Sequence, residues 1–166
     1  MPENTTPYEK DIEPDSISNI EAVYVFDIDS FTYFDEFPET ISGVKEKYKD
    51  VVFQEEMEET SSTGHIRSLG DYRFDLTSED ITFIFYGDTM EDMELYHIEI
   101  FSPSYQCPGI QIIGMSSTRA KDLIKTTTKF DIADGNLMII SKNWLYNIVV
   151  NIKNDIVINY SINKEL

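Results

Sequence analysis

The sequence predicts an α+β fold, an antiparallel sheet meander packed with two helices. Three observations carry that expectation. Several runs alternate apolar and polar residues with the period of two that a half-buried strand requires. Two segments repeat apolar residues at helical spacing. The connection from Phe85 to Leu95 is too short for the crossover helix that a parallel pair would need.

Taken in order, residues 1–20 mix Pro, Asn, Ser, Thr and acids with few apolar positions, and read as a flexible acidic tail. A first strand is expected from the β-forming run Ala22-Val23-Tyr24-Val25-Phe26. A helix follows with Pro38 in its first turn, Glu39 near its positive end, and Ile41, Val44 and Tyr48 at helical spacing. Lys45, Lys47 and Lys49 suit its negative end. Gln54 to Gly64 is acidic and then Ser/Thr-rich, and reads as a loop or hairpin tip.

Three strands should come next. Tyr72, Phe74 and Leu76 alternate with Arg73 and Asp75, and Ile81 to Tyr86 is apolar enough for a central strand. Leu95 to Phe101 is expected to set Tyr96, Ile98 and Ile100 on one face and His97 and Glu99 on the other.

The second part repeats this order. Gly109 to Ile113 reads as a short strand, and Ser116 as the cap of a helix that buries Ala120, Leu123 and Ile124. Strands follow at Leu137–Ile140, Leu145–Ile152 and Ile156–Ile162, the last two joined by Lys153-Asn154-Asp155 in the clearest hairpin of the chain. Two tandem strand–helix–strand–strand–strand units, 21–105 and 106–166, and one continuous domain are both compatible with the pattern.

The charge is lopsided. Of the net −18, residues 1–105 contribute −20 from 26 acids and 6 bases, while residues 106–166 contribute +2 from 5 acids and 7 bases. Such a field repels nucleic-acid phosphate and anionic lipid and draws a basic protein inward, so direct nucleic-acid binding is not expected. An acidic surface also serves solubility alone. No apolar run approaches the roughly 20 residues of a membrane helix, so membrane insertion is not expected. Met1 to Ile12 has no apolar stretch of a secretory leader; as written this favours the cytoplasm, and a leader removed before Met1 would favour the cell envelope. The single cysteine, Cys107, excludes an intrachain disulfide.

Gly109-Ile110-Gln111-Ile112-Ile113-Gly114-Met115-Ser116, followed by Ala120-Lys121-Asp122-Leu123-Ile124, resembles the opening of two kinds of small bacterial domain. These are the β-lactamase-inhibitor-protein type and the OmlA-type outer-membrane lipoproteins. The resemblance runs from residue 109 to 162. It implies a helical segment leading into an antiparallel meander, sometimes in tandem, and a protein that binds other proteins. Thr126-Thr127-Thr128 stands where those domains usually close their helix with Gly-x-Pro, and the paired cysteines of the secreted inhibitors are missing.

Other chemistry finds little support. Asp27-Ile28-Asp29 and Gly87-Asp88-Thr89-Met90-Glu91-Asp92 look like the D-x-D and G-D-x-x-x-D motifs of haloacid-dehalogenase-type phosphatases. Asp27 would be the nucleophile, Asp29 the acid/base, and Asp88 and Asp92 magnesium ligands. Such enzymes need a parallel sheet, which the connections oppose. His65 and His97 are too isolated for zinc, and Asp27, Asp29 and Asp35 lack the glycine turn of an EF-hand; no metal or other cofactor is expected. Cys107 has no basic neighbour to activate it, and the lone Trp144 reads as core.

The expectation is therefore a non-catalytic acidic protein-binding module, such as an immunity protein or an inhibitor of a basic, nucleic-acid-handling partner. Glu55, Glu56, Glu58 and Glu59, with Asp88, Glu91, Asp92 and Glu94, are the candidate contact residues. The alternatives are an envelope-associated structural domain and, less favoured, the phosphatase.

Overall fold

A computed structural model describes residues 26–27, 37–60, 69–107, 109–125, 129–131, 135–140 and 146–164. Trp144, His65, Asp29, Asp35, the 1–20 tail and the expected strand positions 22–25 lie outside the described residues.

The described elements are β1 (Phe26–Asp27), α1 (Ile41–Lys47), β2 (Gln54–Glu59), β3 (Tyr72–Thr77), β4 (Ile81–Gly87) and β5 (Glu94–Ile100). The second half supplies α2 (Ser117–Leu123), β6 (Ile124–Lys125), β7 (Lys129–Asp131), β8 (Leu137–Ile140), β9 (Tyr146–Lys153) and β10 (Ile156–Lys164). Eight strands form one antiparallel sheet in the order β2-β3-β4-β5-β10-β9-β8-β7; β1 and β6 pair in parallel as a separate ribbon. The fold is α+β, and its sheet consists of two four-stranded meanders that meet through their last strands. The seam aligns Ile100 with Tyr160 and Ile98 with Ile162.

Alternation decides which side of the sheet is covered. Phe74, Leu76, Phe83, Phe85, Ile98, Ile100, Tyr160, Ile162, Ile148 and Val150 all point to one side and are buried. The helices lie on this side. α1 begins after Thr40, whose hydroxyl accepts from the Gly43 amide, and it presses Val44 into the core. Tyr48 closes α1 and packs on Phe83 with ring centroids 5.2 Å apart. α2 begins in the same way, with the Ser116 hydroxyl accepting from Arg119, and buries Ala120. The two helices start 76 residues apart, at Ile41 and Ser117, each leading into a meander.

The structure changes several expectations. Helix α1 starts at Ile41, because the Thr40 side chain supplies the cap and leaves Pro38 and Glu39 outside it. Gln54–Glu59 is an edge strand and not a loop. Residues 109–113 form irregular backbone and no strand; Ile110 and Ile112 are apolar because they fill the covered side. Tyr96 does not share a face with Ile98 and Ile100. A bulge beside Ile84 and Phe85 makes it the extra residue, so Leu95 enters the core instead. A second bulge, beside Asn151 and Ile152, buries Val157 and exposes Ile158. The hairpin itself forms as expected. Asn154 and Asp155 take positive φ of 54° and 66°, the backbone of a two-residue turn that matches strand twist.

Candidate functional site

The eight candidate acids come from two segments. β2 supplies Glu55, Glu56, Glu58 and Glu59, and the β4–β5 connection supplies Asp88, Glu91, Asp92 and Glu94. Register, not composition, assigns each its side. Glu55 is opposite Leu76, Met57 opposite Phe74 and Glu59 opposite Tyr72, so these three face the helices. Glu56 is opposite Asp75 and Glu58 opposite Arg73, and both belong to the other side. On the helix side Glu55 meets Lys45 of α1 at 2.7 Å, both side chains about half exposed.

The β4–β5 connection is held by close backbone packing. A Cβ on Gly87 would stand 2.8 Å from the Asp92 carbonyl oxygen, and one on Gly70 would stand 2.5 Å from the Gly87 carbonyl carbon. Asp88 accepts from the Asp71 amide at 3.1 Å. Asp92 accepts from the Thr89 amide at 2.7 Å and from its hydroxyl at 3.0 Å, and these bonds hold its carboxyl below the usual range. Both aspartates thus shape the turn Met90–Asp92 as well as charge it.

The fold brings Glu58 and Glu59 level with the β4–β5 connection, leaves Glu55 and Glu56 toward the other end of β2, and does not join the two segments into one patch. Glu59 is opposite Tyr72, which is opposite Gly87, the residue before Asp88. Glu58, Arg73, Tyr86 and Glu94 form a row across β2 to β5 on the side away from the helices, with Glu58 and Glu94 about 14 Å apart at the usual strand spacing.

Sequence reading missed the groups between these acids. Arg73 forks onto Asp75, donating from Nε at 2.7 Å and from an Nη at 2.9 Å, and this bond raises its pKa further. Tyr86 and Tyr96 meet edge to face at 5.9 Å, and Lys164 lies over the Tyr96 ring at 4.9 Å and near Glu94 at 3.5 Å. Burial first, and Glu94 second, raise the Tyr96 phenol. At the seam His97 hydrogen-bonds Asn163 through Nδ1, and Asn163 donates to Asn147 at 2.8 Å. Asn163 thus turns its amide nitrogen to Asn147 and its oxygen to His97. Period-2 alternation was the available signal for these residues, although pairing across strands was not.

On the helix side, a cleft of about 340 Å³ opens between α1 and the β4–β5 connection, lined by Thr40, Ile41, Ser42 and Lys45 on one wall and Met90, Glu91 and Met93 on the other. Asp27 lies in the β1–β6 ribbon and Asp88 beyond the end of β4 in the large sheet, so the two phosphatase-like motifs fall in different sheets. Among the described residues no group of three His, Cys, Asp or Glu is placed to hold a metal, and no helix is long and apolar enough to cross a membrane. Cys107 is buried. Compared with known proteins, the chain matches no family model, no curated protein and no solved structure.

Proposed function

We propose that the chain is a non-catalytic binding module whose acidic half engages a basic protein, in the manner of an immunity protein or an inhibitor of a nucleic-acid-handling partner. One observation carries this reading. The Glu59 end of one acidic segment and a second acidic segment, about 30 residues on in sequence, come to one end of the first meander through the register Glu59–Tyr72–Gly87. The second meander, near neutral, extends the same sheet away from them. A carboxylate field concentrated in one half of the sheet steers a basic surface and orients it on arrival. The resemblance of residues 109–162 to β-lactamase-inhibitor-protein-type and OmlA-type domains supports a protein-binding role and names no partner.

The test begins with a low-salt pull-down from the native host, followed by purification of the captured protein. Its association rate with the full chain is then measured between about 20 and about 300 mM salt, where the Debye length shrinks from about 20 Å to about 6 Å. The rate should fall about tenfold or more, and more gently when Glu56, Glu58, Asp88 and Glu94 are changed to Gln. A rate indifferent to salt in both proteins would overturn the proposal.

A further inference from the structure

We infer that the cleft between α1 and the Met90–Asp92 turn is the anchoring pocket of this module, and that its occupant is a basic amphipathic segment of the partner protein. One large apolar side chain enters the cleft while flanking lysines or arginines meet the acids at its rim. The inference rests on the reading of the chain as a module for basic partners and supplies the contact that charge alone does not.

The floor of the cleft is apolar and adaptable. Ile41 and Met93 contribute packed surface, and Met90 stands 47% exposed beside them. Methionine is unbranched and polarizable, and it recurs where a surface must fit side chains of varied shape. A volume of about 340 Å³ suits one or two side chains and sits at the small end of ligand pockets, about 300–1,000 Å³. Val52, Met57 and Met90 are exposed apolar side chains of the acidic half. Met57 shares the helix-facing side of β2 with Glu55.

The rim fits a cation. Glu91 lines the cleft, and Asp88 and Asp92 flank Met90 in the connection. Glu55 holds Lys45, itself a lining residue, in an exposed pair. Exposed pairs of this kind contribute little, so an incoming lysine or arginine can replace Lys45 at small cost. An apolar floor with Glu91 in its lining, Glu55 paired to the lining Lys45, and Asp88 and Asp92 in the same connection is the complement of a segment whose apolar stripe is bordered by bases. Anionic lipid and nucleic acid are repelled by the same rim.

The test uses the full chain with methyl-labelled methionines and two model peptides of four helical turns, roughly 14 residues each. One alternates Lys and Leu amphipathically, and the other carries Ser in place of Leu at equal charge. The Lys/Leu peptide should bind about tenfold tighter or more, with the Met90 and Met93 methyl signals moving first. Met90→Ser should bring its affinity to within about twofold of the Lys/Ser peptide. Equal binding of the two peptides would sink the pocket and leave the acidic reading standing. Tighter Lys/Leu binding that spares both methyl signals and ignores Met90→Ser would also sink it. If neither peptide binds at low salt, both readings fail.

Discussion

Tyr160 and Cys107, 53 residues apart, meet through one hydrogen bond: the Cys107 amide donates to the phenol oxygen at 2.9 Å. The phenol in turn donates to the Ile110 carbonyl at 2.8 Å. A central strand residue thereby pins the connection between the two meanders to the covered side of the sheet. Gln106 adds to the clamp by accepting from the Ile112 and Ile113 amides, both at 2.7 Å.

Removing the phenol oxygen should therefore cost more than its small size suggests. Tyr160→Phe leaves a buried amide and a buried carbonyl without that partner, a loss of about 1–3 kcal/mol. Urea unfolding checks it: the midpoint should fall while the slope, which reports the surface exposed, stays the same.

The same phenol makes stability depend on alkaline pH. Burial raises Tyr160 far above the ordinary tyrosine range, and burial with Glu94 raises Tyr96 in the same direction. A folded-state value above the unfolded one means stability that is fully present below about pH 10 and is lost as pH climbs further. Denaturant midpoints should fall above about pH 10, and part of the tyrosinate absorbance should emerge only with unfolding. Tyr160→Phe should make the decline shallower.

Two glycines with positive φ should respond differently to the same substitution. Gly114, at φ 95°, has open space where a Cβ would go, so Gly114→Ala should cost only the backbone strain, about 1–2 kcal/mol. Gly70, at φ 138°, would drive its Cβ into the Gly87 backbone, and Thr60, fully buried, holds its carbonyl at 2.9 Å. Gly70→Ala should cost about 3 kcal/mol or more and disturb the acidic connection. Thermal melts of the two variants make the comparison.

The glutamates of β2 should also guard an edge. β2 ends the sheet order and carries charge on both sides. Charged residues on an edge strand discourage pairing with other chains. Replacing Glu56 and Glu58 with Thr, a better strand former, should change stability by less than about 1 kcal/mol and hasten aggregation, read by light scattering on warming.

What could be read from the sequence follows from what each strand buries. β3 and the Lys153–Asp155 hairpin were legible because one side of each strand is buried, and the alternation of Phe74 and Leu76 with Arg73 and Asp75 records it. β2 was illegible because it is exposed on both sides, so no apolar period survives; backbone pairing with β3 makes it a strand. Tyr96 falls on the side opposite to the one its alternation predicts because the bulge adds one residue, and the bulge at Ile158 inverts the alternation of β10 in the same way. The candidate acids were visible as composition, but the side each one faces is set by its partner on the neighbouring strand.

The meeting of β5 and β10 has a consequence for how the protein is made. β5 ends at Ile100, and its central partner begins only at Ile156. While the intervening residues are being translated, the first meander has a bare inner edge lined by buried-type side chains such as Ile98 and Ile100. The sheet closes only when the second meander delivers β10, a pairing of long sequence separation and correspondingly slow formation. The nascent chain therefore passes through a stage with two open edges, of which the outer one carries charge on both sides and the inner one, with Leu95, Ile98 and Ile100, is apolar on its helix-facing side.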